Sequence, residues 1–94
     1  MVNLKKLDLT EIKSVFFIER DILVNIEARK SRLQKLYKAM SLSHLEHQSI
    51  GIVTALFNGE VVEVFSDFIE CTEDFVQLKG GVIIPMRAIV DVEY

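Results

Sequence analysis

The chain has no tryptophan, one cysteine, one proline and two histidines in 94 residues. A lone thiol, Cys71, can close no internal disulfide and has no CxxC partner, so a disulfide framework and a zinc knuckle are both excluded. It reads as a small core or strand residue. Long apolar runs are missing too: the longest, such as Val15 to Ile18 and Val82 to Met86, fall far below the roughly 18–20 residues that span a bilayer. Lys5, Lys6 and Asp8 are not followed by a signal-peptide core, so the expectation is a cytoplasmic protein with no membrane partner. Gly80-Gly81 precedes a strand and lacks the GxGxxG or GKS context of a phosphate loop.

What is present is apolar for so short a chain. Hydrophobic residues make up 50% and the mean hydropathy is +0.29, so much of this surface must be buried in a core or against a partner. The length suits one domain, near the size at which oligomerisation often supplies missing core. Charge is unevenly placed: residues 1–40 carry nine Lys and Arg against five Asp and Glu, residues 41–94 two against nine. The basic half can therefore meet an acidic partner such as nucleic acid, or the two halves can attract each other within or between copies. The second reading is preferred because the positive excess is interleaved with acids.

The first half reads as helix. Asp8 stands three residues before Glu11, the spacing of a capping box, and Val15, Ile18, Ile22, Ile26, Leu33, Leu36 and Met40 recur at helical steps broken only at Arg29. The same run, rich in Val, Ile and Phe, also suits strands, and Val15 to Ile18 with Ile22 to Ile26 can be drawn as a hairpin. Since no turn residue lies between them, one long helix or two consecutive ones explains more. Ser41 and Ser43 offer caps for a short linker helix through Gln48.

After Gly51 the period changes to two. Ile52 to Phe57 runs into Asn58-Gly59, a hairpin signal, and strands follow at Glu60 to Phe65, Phe68 to Thr72, Phe75 to Leu78, Val82 to Ile84 and Ile89 to Glu93, with a tight turn at Met86 to Ala88. Pro85 is expected to interrupt pairing. Such short apolar strands with tight connections argue for closure. The expected fold is α+β: one or more N-terminal amphipathic helices (arm and linker, residues 1–48), then a five-stranded antiparallel barrel (residues 49–94), in one compact unit.

The stretch Phe75-Val76-Gln77-Leu78, Lys79-Gly80-Gly81, Val82-Ile83-Ile84-Pro85-Met86-Arg87-Ala88-Ile89, Val90-Asp91-Val92 resembles the second half of Sm-like and SH3-like barrels. More narrowly, it is similar to the YolD-like family of small bacterial and phage-borne proteins, which share a helical first region and an Ile-Pro-x-x-x-Ile tail. The resemblance covers roughly residues 50–94. The YolD-like resemblance implies a protein partner near DNA, such as an error-prone polymerase, and the Sm-like one implies rings and RNA. Ser66-Asp67 and Lys79-Gly80-Gly81 match the Sm binding loops poorly, and no binding residue is carried across.

Chemistry is sparse. His44 and His47 lie at i, i+3 with Glu46 between them, two ligands without a third, and read as a solvated linker. Glu60, Glu63, Asp67, Glu70, Glu73 and Asp74 read as an acidic solvated face rather than a catalytic pair. No catalytic residue, metal or cofactor is expected. The function expected is a non-catalytic protein-interaction or oligomerisation module, accessory to a DNA-processing protein, that binds itself and another protein through Val15, Ile18, Ile22, Ile26, Leu33, Leu36 and Met40. The alternative is an Sm-like nucleic-acid binder using Arg29, Lys30, Arg32, Lys35 and Lys38, with Tyr37 nearby.

Overall fold

The computed structural model describes residues 4–94, so the first three residues of the expected arm lie outside the described residues. Strand β1 (Lys5–Lys6) leads to a 3-10 turn at Glu11–Ser14, helix α1 (Ile26–Glu46), and strands β2 (Ile50–Ala55), β3 (Val61–Ser66), β4 (Ile69–Cys71), β5 (Phe75–Leu78), β6 (Val82–Pro85) and β7 (Ile89–Glu93).

The capping box at Asp8 forms, but it heads only one turn. Asp8 Oδ1 accepts from the Thr10 and Glu11 amides at 2.9 and 2.7 Å, and Glu11 Oε1 accepts from the Asp8 amide at 3.1 Å. Val15 is already extended (φ −96°, ψ 158°), and Val15 to Asn25 crosses the molecule as a strap with no helix in it. The expected helix from Asp8 is thereby corrected to one that starts at Ile26. β-Branched and aromatic side chains lose rotamer freedom in a helix, and here the strap gains backbone partners instead: Phe17 bridges Leu56 antiparallel, the Phe57 amide donates to the Phe16 carbonyl at 2.8 Å and the Ile18 amide to the Ala55 carbonyl at 3.3 Å. The local hairpin alternative is not formed either, because the pairing partner is distant in sequence.

Asn25 starts α1 by accepting from the Glu27 and Ala28 amides at 2.7 and 3.2 Å, which satisfies two of the orphan donors of a first turn. The helix runs through Ser41 and Ser43, which are not caps, and stops at His47 in the left-handed conformation (φ 52°).

Among the described residues seven strands form two sheets, ordered β1-β3-β2-β7 and β4-β5-β6. The expected five-stranded barrel is corrected: among the described residues one α-helix, within the expected one or more, precedes the main strands, and β6 and β7 do not pair to close a barrel. The chain changes sheet at two corners. At the first, Ser66 Oγ donates to the Phe68 carbonyl at 2.6 Å and accepts from the Lys79 amide at 3.2 Å; at the second, the 3-10 turn Met86–Ala88 follows Pro85, which ends β6 while still paired opposite Phe75. The β2–β3 hairpin is not the two-residue type that Asn58-Gly59 suggests. Only Gly59 has positive φ (87°), and the Leu56 amide donates to Glu60 across a three-residue loop at 2.8 Å, the form with a glycine bulge.

Helix α1 covers edges that the strands leave open. The Ile69 amide of β4 donates to Ser43 Oγ at 3.3 Å and the Cys71 amide to Met40 Sδ at 3.3 Å, while Arg32 donates to the Ile89 carbonyl of β7 at 3.0 Å. Unpaired strand edges invite association with other chains, so these side chains blunt two of them. One core joins both halves of the sequence, with Leu7, Ile12, Leu36 and Ala39 packed among Ile50, Ile52, Val62, Val64, Ile69, Val76, Ile84 and Ile89. No helix among the described residues is long and apolar enough to cross a membrane.

Candidate binding surfaces

The strap and the β2–β3 hairpin together build an apolar groove. Pairing of Val15 to Ile18 with Ala55 to Phe57 alternates the side chains: Phe17 turns inward against the core, while Phe16 and Phe57 are left 81% and 64% exposed. The groove, about 540 Å³, is lined by Val15, Phe16, Phe17, Glu19, Phe57 and Arg87. Arg87 is tied to the strap, donating from Nε to the Ile18 carbonyl at 2.9 Å, and the Ile22 amide donates back to the Arg87 carbonyl at 2.8 Å. Backbone bonds order the two segments that carry the rings, so that part of the ordering cost is met before binding.

The seven apolar positions expected to form one interface stripe do not share an element. Val15, Ile18 and Ile22 belong to the strap, and Ile26, Leu33, Leu36 and Met40 to α1. Leu36 is fully buried, Val15, Leu33 and Met40 are half-buried against the same core, and Ile26 at the helix start is 65% exposed.

The basic cluster is largely engaged within the molecule. Arg32, with its side chain 4% exposed, forms two hydrogen bonds of 2.9 Å with the Asp21 carboxylate. Arg29 lies 3.5 Å from the same carboxylate and donates to the Leu23 carbonyl at 2.6 Å. Lys35 pairs with Asp91 at 3.0 Å, Lys30 with Glu27 at 4.0 Å, and the Lys38 ammonium lies 5.7 Å over the Tyr94 ring. Burial raises the Asp21 carboxyl, but the Arg32 hydrogen bond, the Leu23 amide and the charges of Arg32 and Arg29 outweigh it and hold the group below its ordinary value.

A second, polar cleft of about 600 Å³ lies beside the end of α1, lined by Ser43, His44, His47, Asp67, Phe68, Glu70 and Lys79. His44 Nε2 stands 3.0 Å from Glu70 Oε1 and 3.1 Å from the Ile69 carbonyl, with its ring stacked on Phe68 at 5.8 Å. The two histidines thus meet in one cleft, but no group of three His, Cys, Asp or Glu side chains among the described residues has the geometry to hold a metal ion. Cys71 is half-buried and burial pushes its thiol up, away from the thiolate a nucleophile needs.

One acid expected on the solvated face is inside. Glu63 is 4% exposed and lies over Gly51, where a β-carbon would come within 2.7 Å of Glu63 Oε2. Glu93 is the cross-strand neighbour of Gly51 on the other side. Burial first, then the hydrogen bond and charge of Glu93, push the Glu63 carboxyl up against a smaller pull from Lys6. Alternation along β3 placed Glu63 on the outer face; only the register across Gly51 brings the two acids together. The aromatic pair was missed for a related reason, since Phe16 sat in an expected helix.

No protein-family model, curated protein or solved structure matches the chain.

Proposed function

We propose that this chain is a non-catalytic protein-interaction module and that its docking surface is the aromatic groove between the strap and the β2–β3 hairpin. The observation that carries this reading is the exposure of Phe16 and Phe57 on adjoining, backbone-bonded segments. Aromatic side chains bury a large area per residue and dominate binding energy at the centres of interfaces. The titratable groups support it as well: Asp21, Asp91 and His44 have structural partners in Arg32, Lys35 and Glu70. The YolD-like resemblance of residues 50–94, for which no family model matches, is the ground for proposing a role beside a DNA-processing protein. Engagement of Arg29, Arg32 and Lys35 in ion pairs leaves the nucleic-acid reading with less support.

The test is affinity capture of the tagged protein from its native extract, with and without nuclease, beside a Phe57→Asp variant. A protein partner that survives nuclease and is lost with Phe57→Asp is the expected result. Material lost on nuclease treatment, or a partner indifferent to Phe57, defeats the proposal.

A further inference from the structure

We infer that the occupant of the groove is the same groove of a second copy, set against it by a two-fold axis; this rests on reading the groove as a docking surface. The lining carries one acid and one base, Glu19 and Arg87, beside an apolar floor of Val15, Phe16, Phe17 and Phe57. Among the described residues neither Glu19 nor Arg87 forms an ion pair within the chain. A patch of this kind is complementary to itself. In an isologous contact each residue meets its partner twice, so Glu19 of each copy faces Arg87 of the other, and both charges find the opposite sign. A partner of one charge sign would be attracted by one of these side chains and repelled by the other, and opposing potentials of that kind cost affinity.

The apolar part fits the same arrangement. Phe16 and Phe57 are 81% and 64% exposed, and two-fold apposition brings four rings together and removes them from water at one centre. The strap and hairpin are bonded to each other by the Phe16–Phe57 backbone bond of 2.8 Å, so the surface is formed before the copies meet. Two edges that could pair with another copy are already engaged: β4 is bonded to Ser43 and Met40, and β7 to Arg32.

The experiment is light scattering of the full chain across concentration, with two charge reversals. Wild type is expected at twice the chain mass, and Glu19→Arg and Arg87→Glu each at one chain mass. A one-to-one mixture of the two variants should return to twice the mass, because one copy then presents two arginines at these positions and the other two glutamates. Circular dichroism checks that the variants fold; should Arg87→Glu unfold by losing its bond to Ile18, Phe57→Ala is used in its place and should weaken self-association at least tenfold. A monomeric wild type, or reversals that fail to complement, overturns the inference. If the chain is monomeric yet still captures a different protein through Phe57, the second copy is wrong and the docking surface stands; if neither occurs, both fall.

Discussion

Glu63, which is buried, and Asp21, which is partly buried, are acids whose surroundings act in opposite directions. Glu63 binds its proton more tightly in the folded chain, because burial and Glu93 disfavour its charge. The stability this contributes is complete below the ordinary value of 4.5 and is lost as pH rises through the higher folded value. Glu63→Gln removes a buried charge that lacks a partner at Oε2. The variant should gain about 1 kcal/mol in urea unfolding at pH 8, and the gain should close below pH 4.5. A variant no more stable at pH 8 would show that the carboxylate is adequately solvated. Asp21 runs the other way: its folded value is lowered from 3.8, so its contribution is present above that pH and lost as pH falls through the folded value. Asp21→Asn leaves Arg32 buried with an uncompensated charge and should cost about 3 kcal/mol at neutral pH. That difference should shrink on acidification, and a flat difference across the titration would count against the pair.

At the scale of the element, α1 acts as a side-chain partner for sheet edges as well as a core helix. Ser43 Oγ donates to the Met40 carbonyl at 2.9 Å while accepting from the Ile69 amide. Ser43→Ala leaves that amide buried without a partner and should cost about 1–3 kcal/mol, measured by thermal or urea unfolding. Hydrogen exchange at Ile69 should quicken more than at Val64; equal protection in both proteins would argue that water replaces the hydroxyl. Asn25→Ala tests the helix start separately, and should cost about 1 kcal/mol by leaving the Glu27 and Ala28 amides unbonded. The strap explains why this cap matters. Without a helical turn before it, α1 begins abruptly, and Asn25 alone supplies side-chain acceptors to its first turn.

For the molecule as a whole, one core serves strap, helix and both sheets, so association need not supply missing core. The proposed self-association would instead remove an exposed aromatic patch, which separates binding from folding. Phe57→Ser should therefore reduce association while changing folding stability by no more than about 0.5 kcal/mol, as for surface positions free of special roles. Urea unfolding at a concentration where both proteins are monomeric checks this, and a large loss of stability would make Phe57 a structural residue rather than a docking one. Charge is internal at this scale too. The basic first half and the acidic second half meet in the Lys35–Asp91 pair, while Arg29, Lys30 and Arg32 pair with Asp21 and Glu27 of their own half.

The second half of the chain was legible from its residues because its signals are local. Alternation, glycines and one proline set β5 at Phe75–Leu78, the turn at Met86–Ala88 and β7 at Ile89–Glu93, and each depends on neighbours in sequence. The fate of Val15 to Asn25 did not follow from sequence, since apolar residues spaced by three and four suit a helix face and a half-buried strap alike. Pairing with Ala55, Leu56 and Phe57 decided it, and that choice exposed Phe16 and formed the groove. Likewise, the pattern of β3 gives Glu63 an outer position, while the missing side chain at Gly51 lets it lie buried beside Glu93. Sequence determined the elements whose energetics are settled within a few residues; tertiary structure decided those whose hydrogen-bond and packing partners come from elsewhere in the chain.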